Sequence, residues 1–260
     1  MKHVTISETE GAQLDLSFVV RNGRTVLDRR LFRYPYVLMR TFSQPLSSVQ
    51  DGQDNAAATL THVLVQNSGG PVHDRDNLAT NLRLTEGTNV RVTYQGATTI
   101  SRARPGNMSR ERLNITLDPG SRLAYVPEAR ILFPEAAHHQ TTDIELSAGS
   151  TVLFTDAFTF HDPAATGRLF RELDNTLTIR RNGEIVLLDR QHLTNPLIGK
   201  DYRAFGTILL IGRQAPELPE IPNLYAATSC LPFDLGWSIR LAASDLRPIR
   251  AAIGLIDRSR

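Results

Sequence analysis

The sequence predicts an all-β protein made of stacked strand–turn–strand units, with one short helix near the C-terminal end. Three observations support this prediction: short alternating apolar segments, an internal repeat centred on a glycine turn, and an amphipathic stretch late in the chain. We expect stacked β-hairpins that form either a layered sandwich or a β-helix-like body. No break in composition divides the chain, so residues 1–260 are expected to form a single domain.

Short segments of alternating apolar and polar residues occur along most of the chain. They are rich in Val, Ile, Thr and Leu and are bounded by Gly, Pro, Asn and Asp, a combination that is typical of strands. Four examples are residues 13–20, 60–66, 111–117 and 205–211. Asn182-Gly183 gives the strongest hairpin signal, because this pair readily adopts the positive φ angles of a two-residue turn.

Three segments share one template of strand, turn and strand. They read LRLTEGTNVRV (82–92), ITLDPGSRLAY (115–125) and IELSAGSTVLF (144–154), and each carries a glycine followed by Ser or Thr. The glycines are Gly87, Gly120 and Gly149, separated by 33 and 29 residues. One such unit cannot bury its apolar face alone, so the pattern predicts that successive units stack.

The pattern changes after the last predicted strand, around residues 237–241. Apolar residues then recur at helical spacing and predict one amphipathic helix; they are Leu246, Ile249, Ile253 and Ile256. Ser244 is the expected N-cap, with Asp245 in the first turn. The preceding segment 213–223 contains three prolines and is predicted to be a loop.

Composition argues against several functions. The net charge is only +2, Lys2 and Lys200 are the only lysines, and no basic run is interleaved with aromatic residues, so nucleic-acid binding is not expected. The single cysteine, Cys230, excludes an intrachain disulfide and a cysteine-based zinc site. We expect its side chain to act as a small apolar filler.

The sequence also bears on localisation. The first residues are polar and include acids, without the apolar region of a signal peptide. No apolar run approaches the ~18 residues that a transmembrane helix requires. The protein is therefore expected to be cytoplasmic, with no membrane partner.

Motifs for phosphate binding and for a nucleophile elbow are absent from the sequence. Residues 67–70 (NSGG) are interpreted as a turn rather than as a serine nucleophile. The adjacent His138 and His139 would face opposite ways on a strand and could not chelate one ion together, whereas in a loop they could. His161 beside Asp162 is either an oriented base or the capped end of a loop.

Five carboxylates near the repeats are candidates for a polar passage that a divalent cation could use, or are exposed acids of turns and strand faces: Asp74, Asp76, Glu128, Glu145 and Asp156. Oxygen ligands with water would hold such an ion weakly and exchangeably, as transit requires. Imidazole would hold an ion such as nickel more tightly.

Several segments together resemble one known family. HVLVQNSGGPVHDRDNL (62–78) contains a Gly-Gly turn at Gly69 and Gly70, and VTYQGATTISR (92–102) contains Gln95. The most specific stretch, LAYVPEARILF (123–133), places five residues in family positions: Tyr125, Pro127, Glu128, Ile131 and Phe133. With AFGTILLIG and WSIRLAASDLRPIRAAIGLI near the end, these segments resemble the urease accessory protein D family, also called the H type, over roughly residues 60–260.

Two departures from the family pattern indicate either a divergent member or a paralogue whose partner is no longer ordinary urease. The Gly-Asp pair that follows the Gly-Gly turn in the family is replaced by HDRD (73–76), so Asp76 or Asp74 would take the place of the family aspartate. The family segment Gly-Arg-x-x-x-Gly-Glu reads DPAATGR (162–168) here. It retains only the second glycine, Gly167, and Arg168 stands where an acid is expected.

The resemblance implies a non-enzymatic scaffold, or chaperone, that helps to load nickel into apo-urease. Such proteins bind apo-urease and an F-type accessory protein, and through the F-type partner they join a G-type GTPase that carries nickel. The resemblance assigns interface or motif roles to Gly69, Gly70, Asp76, Gln95, Tyr125, Pro127, Glu128 and Phe133. It implies no tightly bound cofactor but a transient nickel path at Asp74, Asp76 and Glu128.

Two alternatives remain open from the sequence. One is a β-sandwich protein-binding module that is no longer tied to urease. The other is an enzyme, for instance a hydrolase, that uses His161 with Asp162. Urease structural and accessory genes beside this one would favour the scaffold over the binding module, and substrate turnover that depends on His161 would favour the enzyme.

Overall fold

Period-two alternation of apolar residues builds two facing β-sheets in the computed structural model, which describes residues 11–45, 59–194, 201–214 and 217–258. In chain order, the elements are β1 (Leu14–Arg21), β2 (Arg24–Phe32), β3 (Tyr36–Leu38), β4 (Phe42–Pro45), β5 (Thr59–Asn67), β6 (Asn77–Leu84), β7 (Asn89–Gln95), β8 (Thr98–Ile100), β9 (Ser109–Leu117), β10 (Arg122–Val126), β11 (Arg130–Leu132), β12 (Ala137–Leu146), β13 (Thr151–Phe160), β14 (Glu172–Arg181), β15 (Glu184–Thr194), β16 (Ala204–Ile211), β17 (Leu224–Cys230), β18 (Gly236–Ala243) and α1 (Leu246–Arg258).

The chain winds between the two sheets as a β-helix-like coil. The first sheet has the strand order β15-β14-β12-β9-β6-β1-β2, and the path through the second is β17-β18-β16-β13-β10-β7-β5-β3. The central neighbours β6, β9, β12 and β14 are parallel, as are β5, β7, β10 and β13. Antiparallel strands flank these parallel stacks. The all-β, β-helix-like prediction with one C-terminal helix is confirmed.

The sequence repeat forms the corners of the coil. Gly87, Gly120 and Gly149 have φ angles of 69°, 66° and 68°, a left-handed conformation that glycine adopts without steric cost. The corners stack through backbone hydrogen bonds, from Gly87 N to Pro119 O (3.1 Å) and from Gly120 N to Ala148 O (3.0 Å). The two strands of a unit lie in different sheets and pair with their equivalents in neighbouring units, so each unit is an arch rather than a hairpin.

The Ser or Thr that follows each glycine closes its corner. The hydroxyl groups of Thr88, Ser121 and Ser150 donate to the carbonyl oxygen three residues earlier, at 2.7, 2.7 and 2.8 Å. All three side chains are buried. A buried hydroxyl without a partner would cost free energy, which explains why the template keeps a small hydroxyl residue at this position.

Apolar side chains from both sheets fill the interior. Along the second sheet, aromatic rings lie side by side from strand to strand. The centroids of Tyr36 and Tyr94 are 6.2 Å apart, those of Tyr94 and Tyr125 are 6.0 Å apart, and Tyr125 stacks on Phe154 at 5.6 Å. This ladder places the family-motif residue Tyr125 in the core.

Helix α1 covers the outer face of the second sheet. Its buried residues Ile249, Ala252 and Ile256 pack against a second apolar cluster from β13, β16 and β18. Asp245 caps the helix, because its Oδ1 accepts a hydrogen bond from Arg247 N at 2.8 Å. The prediction of Ser244 as the N-cap is wrong by one residue: the carboxylate that reaches the free N–H groups belongs to its neighbour.

Two other local predictions, the turn at Asn182-Gly183 and the loop at 213–223, are confirmed for the residues that the structure describes. Asn182 and Gly183 have φ angles of 55° and 82° in the turn between β14 and β15. Apart from 215–216, which lie outside the described residues, segment 213–223 contains no helix or strand. No helix among the described residues is long and apolar enough to span a membrane.

Candidate functional site

The centre of the protein holds a group of charged side chains, which we call the buried ion cluster: Glu111, Arg130, His138 and Asp156. Arg130 donates to Glu111 Oε2 from Nη2 at 3.0 Å and from Nε at 3.2 Å. Its Nη1 donates to Asp156 Oδ1. Glu111 belongs to the first sheet and Asp156 to the second, so one guanidinium group bridges the two layers.

His138 and Asn175 extend the cluster at its two ends. His138 is fully buried, and its Nδ1 lies 2.9 Å from Ser109 Oγ. Its Nε2 points towards Glu111 Oε2 at 3.7 Å, beyond hydrogen-bonding distance, and has no hydrogen-bond partner. Asn175 Nδ2 donates to Asp156 Oδ2 at 2.5 Å.

Strand register places the cluster within a wider interior polar layer, defined by the first-sheet row Glu111, Gln140, Asn175 and Gln191 and the second-sheet row Asp156, Thr207 and Arg240. Members of each row are direct partners on adjacent strands. Directly paired residues of neighbouring strands lie on the same face of a sheet. The two rows therefore face each other across the interior.

The charges in the cluster do not balance. Burial opposes ionisation of the Glu111 carboxyl, but the charge of Arg130 outweighs it and the pKa of Glu111 is lowered to about 2. Burial also opposes the charge on Arg130, yet Asp156 and Glu111 raise the pKa of that guanidinium. Burial lowers the pKa of His138 against the attraction of Glu111, so its imidazole is neutral at pH 7. Two carboxylates thus face one cation, which leaves one net negative charge.

A cleft connects the polar layer with the surface. It has a volume of ≈ 330 Å³, and its polar walls are Asp156, Gln191, Thr207 and Arg240. Arg240 is held in place by Thr207 Oγ1 at 2.7 Å and by Asp189 Oδ2 at 2.6 Å. Asp156 therefore belongs both to the cleft and to the buried ion cluster.

The Gly-Gly turn of the family motif packs against residues 34–35. A Cβ atom on Gly69 would lie 2.5 Å from Pro35 Cβ, a distance that real Cβ contacts do not reach, so only glycine fits there. Gly70 has a φ angle of 76°, which also favours glycine. Gly69 N donates to Asn67 Oδ1 at 2.9 Å, and the interpretation of 67–70 as a turn is confirmed.

Asp74 and Asp76 fix the loop before β6. Asp76 Oδ2 accepts from His73 N at 2.8 Å. Asp74 Oδ2 accepts from Asn107 Nδ2 at 2.9 Å and from Arg104 N at 3.2 Å. These hydrogen bonds lower the pKa of Asp74. Both carboxylates have structural partners.

The remaining motif residues lie at separate places. Glu128 forms an ion pair with Arg250 of α1 at 2.9 Å, Phe133 packs edge-on against His161 with centroids 6.1 Å apart, and Gln95 is exposed at the end of β7. Pro127 follows β10 and is half-buried.

In the described ranges, no group of three or more His, Cys, Asp or Glu residues is arranged to hold a metal ion. The nickel path at Asp74, Asp76 and Glu128 stays a prediction.

Strand geometry separates His138 from His139, and the residues around His161 form the end of a loop. Both histidines belong to β12. The His138 side chain faces the interior and the His139 side chain lies on the opposite face of the strand, as alternation on a strand predicts. Asp162 caps its loop by accepting from Gly167 N at 2.8 Å and Thr166 Oγ1 at 3.0 Å, which supports the loop-end interpretation. Of the five candidate carboxylates, Asp156 is the one in the buried ion cluster.

The structure contradicts the prediction that was made for the side chain of Cys230. Its side chain is exposed on β17, so the prediction of a small apolar filler is wrong. The strand lies at the edge of its sheet, where alternate side chains need not face a core.

Comparison with known proteins first establishes the class: the chain is one of the urease accessory proteins. It belongs to the UreD family, because the family model described as UreD urease accessory protein matches residues 10–258. The chain is 43% identical to urease accessory protein UreD 2 of Bradyrhizobium sp. (strain BTAi1 / ATCC BAA-1182), across 97% of this chain and 90% of the relative. Identity is 42% to UreD 2 of Bradyrhizobium sp. (strain ORS 278), across 94% and 87%. It is 31% to UreD of Mycolicibacterium smegmatis (strain ATCC 700084 / mc(2)155), across 95% and 90%.

Proposed function

We propose that this protein is a non-catalytic cytoplasmic scaffold, or chaperone, for the incorporation of nickel into apo-urease. The observation that carries the proposal is family membership along nearly the whole chain, from residue 10 to residue 258. The fold is consistent with this role, because a rigid two-layer coil presents long surfaces to partners. Nickel is the cargo of the complex rather than a resident cofactor.

The proposal is tested by urease activation in cells that lack their own copy of this gene. Supplying the wild-type chain with urease, the other accessory proteins and nickel should restore urease activity. Omission of the chain should leave the urease as stable apo-protein. Equal nickel content and activity with and without the chain would contradict the proposed role.

The proposed partners are apo-urease and an F-type accessory protein, with a G-type GTPase joined through the F-type partner. Helix α1 is the candidate contact for the F-type protein. Its inner side is committed to the core, whereas Arg247, Arg250, Ala251 and Leu255 are exposed. Deletion of 244–260 would uncover the apolar cluster beneath the helix, so point variants on the outer face are the better probe.

Leu255→Asp is expected to weaken binding of the F-type partner by about tenfold or more, because a charge placed at an interface core loses its hydration. The measurement is the Kd for the purified F-type protein. Leu188→Asp is the control, since Leu188 is also an exposed leucine but lies on β15, away from α1. If both variants bind as the wild type does, α1 is not the contact.

We further propose that the 69–78 turn and the 125–133 segment contribute to the nickel path or to the interface, with Asp74, Asp76 and Glu128 as transient oxygen ligands. The proposal rests on their family positions. Asp74 and Glu128 each retain some solvent exposure. Carboxylates with water give weak, exchangeable binding of divalent ions.

Asp76→Lys and Glu128→Lys are each expected to lower urease activation about tenfold, which corresponds to about 1.4 kcal/mol of repulsion towards a divalent cation. The measurement is urease activity at fixed nickel, with circular dichroism to establish folding. Glu86→Lys, at an exposed corner of the coil, is the matched charge reversal and should activate normally. Full activation by folded Asp76→Lys and Glu128→Lys proteins would refute this path.

A further inference from the structure

Positive charge is concentrated at one edge of the protein, where β2 ends the first sheet and β3 ends the path through the second. Residues 21–42 contain six arginines and a single acid, Asp28, so this stretch has a net charge of +5. The whole chain has a net charge of only +2, so the rest is net negative. A local charge of this kind attracts a partner of the opposite sign.

At this edge, β2 and β4 form the walls of an open cleft of ≈ 460 Å³. Arg24 and Arg30 line it from β2, and Phe42 lines it from β4. The guanidinium group of Arg30 also lies over the ring of Phe32, 5.3 Å from its centroid. Arg40 is exposed just before Phe42, on the segment that joins β3 to β4. We call these five residues the arginine–aromatic patch.

Two arginines of the patch have no counter-ion in the part of the chain that the structure describes. Asp28, the one acid of the stretch, pairs with Arg21, and no ion pair between described residues includes Arg24 or Arg40. Both side chains are exposed, so their charge is available to a partner. A guanidinium group binds a carboxylate through two parallel hydrogen bonds, which makes glutamate or aspartate a suitable partner.

The patch also exposes apolar surface beside these charges. Phe32 is 40% exposed and Phe42 is 49% exposed. Arginine and aromatic residues are enriched where proteins contact one another and supply much of the binding energy there. Each aromatic residue follows an arginine two positions earlier, in the pairs Arg30 with Phe32 and Arg40 with Phe42. Two residues of an extended chain span about 7 Å, so charge and apolar surface alternate at that spacing.

A nucleic acid would suit this patch less well. Residues 29–42 interleave four arginines with four aromatic residues, so the prediction that no basic run is interleaved with aromatic residues is wrong. However, Arg30 covers one face of the Phe32 ring, and the Phe42 ring leans on His62 with centroids 6.2 Å apart. Nucleic-acid binding also depends on a row of several phosphate contacts, which two uncommitted cations do not supply.

We infer that the arginine–aromatic patch docks an extended segment of a partner protein in which an acidic and an apolar residue stand two positions apart. The acidic side chains of that segment pair with Arg24 and Arg40. Its apolar side chains pack against Phe32 and Phe42 at the mouth of the cleft. This docking goes beyond the proposed role in nickel incorporation and does not depend on it, because it is measured with the isolated chain and a peptide.

The test is fluorescence polarisation of a fluorescein-labelled peptide of Glu-Ser-Leu-Ser repeats with the full chain. We expect saturable binding that weakens as sodium chloride is added, because salt screens exposed charges. Arg24→Gln combined with Arg40→Gln should weaken binding by about tenfold or more. Arg168→Gln combined with Arg181→Gln is the matched control, since it removes the same charge from exposed arginines outside the patch. This control should bind as the wild type does.

Phe42→Ser tests the apolar part of the patch without a change in charge. It should weaken binding by about fivefold, whereas Phe233→Ser, at another exposed phenylalanine, should not. Circular dichroism establishes that each variant is folded. Absence of binding by the wild type, or equal losses in the two arginine double variants, would overturn the inference. Labelled oligothymidine that binds as tightly as the peptide, through Arg24 and Arg40, would identify a nucleic-acid site instead and also refute it.

Discussion

Replacement of Arg130 by methionine is expected to lower the free energy of unfolding by about 3–5 kcal/mol at pH 7 in metal-free buffer. The variant leaves the carboxylates of Glu111 and Asp156 in the interior without their counter-ion. Both side chains are at most about one-sixth exposed, so water does little to stabilise them. The measurement is chemical denaturation followed by circular dichroism.

The same variant should reverse the pH dependence of stability. In the wild type, the pKa of Glu111 is lowered from 4.5 to about 2, so its contribution is present above about pH 5 and is lost as the pH falls towards 2. A shift of this size corresponds to about 3 kcal/mol. In Arg130→Met, burial and the like charge of Asp156 should raise the carboxyl pKa above its unfolded value. The variant should therefore be closest to wild-type stability at the acid end of the range, near pH 2, and should lose stability as the pH rises through the unfolded pKa of this carboxyl towards pH 8.

Arg180→Met is the control for this experiment. Arg180 pairs with Asp143 at 2.7 Å, but both side chains are about one-third exposed. Loss of such a surface pair should cost less than about 1 kcal/mol, with no inversion of the pH profile. Equal effects of the two substitutions would show that the buried ion cluster has no special energetic role.

Phe170→Ala is expected to cost about 3–5 kcal/mol. The ring is fully buried and contacts Phe158 and Phe160, with centroids 6.4 and 5.9 Å away. Phe170 anchors the return from β13 to β14, immediately after the 162–168 stretch in which the family motif is altered. Removal of the ring would leave a cavity that the parallel strands on either side cannot easily fill.

Phe233→Ala provides the matched comparison, because Phe233 is 72% exposed. The same truncation there should change the free energy of unfolding by less than about 0.5 kcal/mol. Thermal and urea unfolding of both variants measure the difference. A cost below about 1 kcal/mol for Phe170→Ala would mean that the loop is not anchored as the structure indicates.

The corners and turns of the fold could be predicted from the sequence, because the residues that form each turn also determine its backbone conformation. Gly87, Gly120 and Gly149 mark corners that demand positive φ angles, and the hydroxyl residue after each glycine satisfies the corner's own carbonyl. Asn182-Gly183 encodes a turn in the same way. Strand partners could not be predicted, because period-two alternation shows which face is buried but not which sheet a strand joins.

The buried ion cluster was missed for a physical reason. Arg130 lies 19 residues from Glu111 and 26 from Asp156, and only the stacking of coils brings them together. One signal was available: Glu111 precedes Leu113, Ile115 and Leu117 at period two, which places a carboxylate on the inward face of β9. Charged residues are so rarely buried that such a position indicates a partner or a function.

The central claim, a scaffold role in urease maturation, is tested most directly by co-expression of the tagged chain with apo-urease and the F-type accessory protein of the same organism. Pull-down and size-exclusion chromatography would detect the complex, and urease activity would then be measured after addition of nickel, the G-type GTPase and GTP. We expect a ternary complex and nickel-dependent activity. A folded chain that binds neither partner, with activity no higher than in its absence, would contradict the scaffold role and favour a binding module no longer tied to urease.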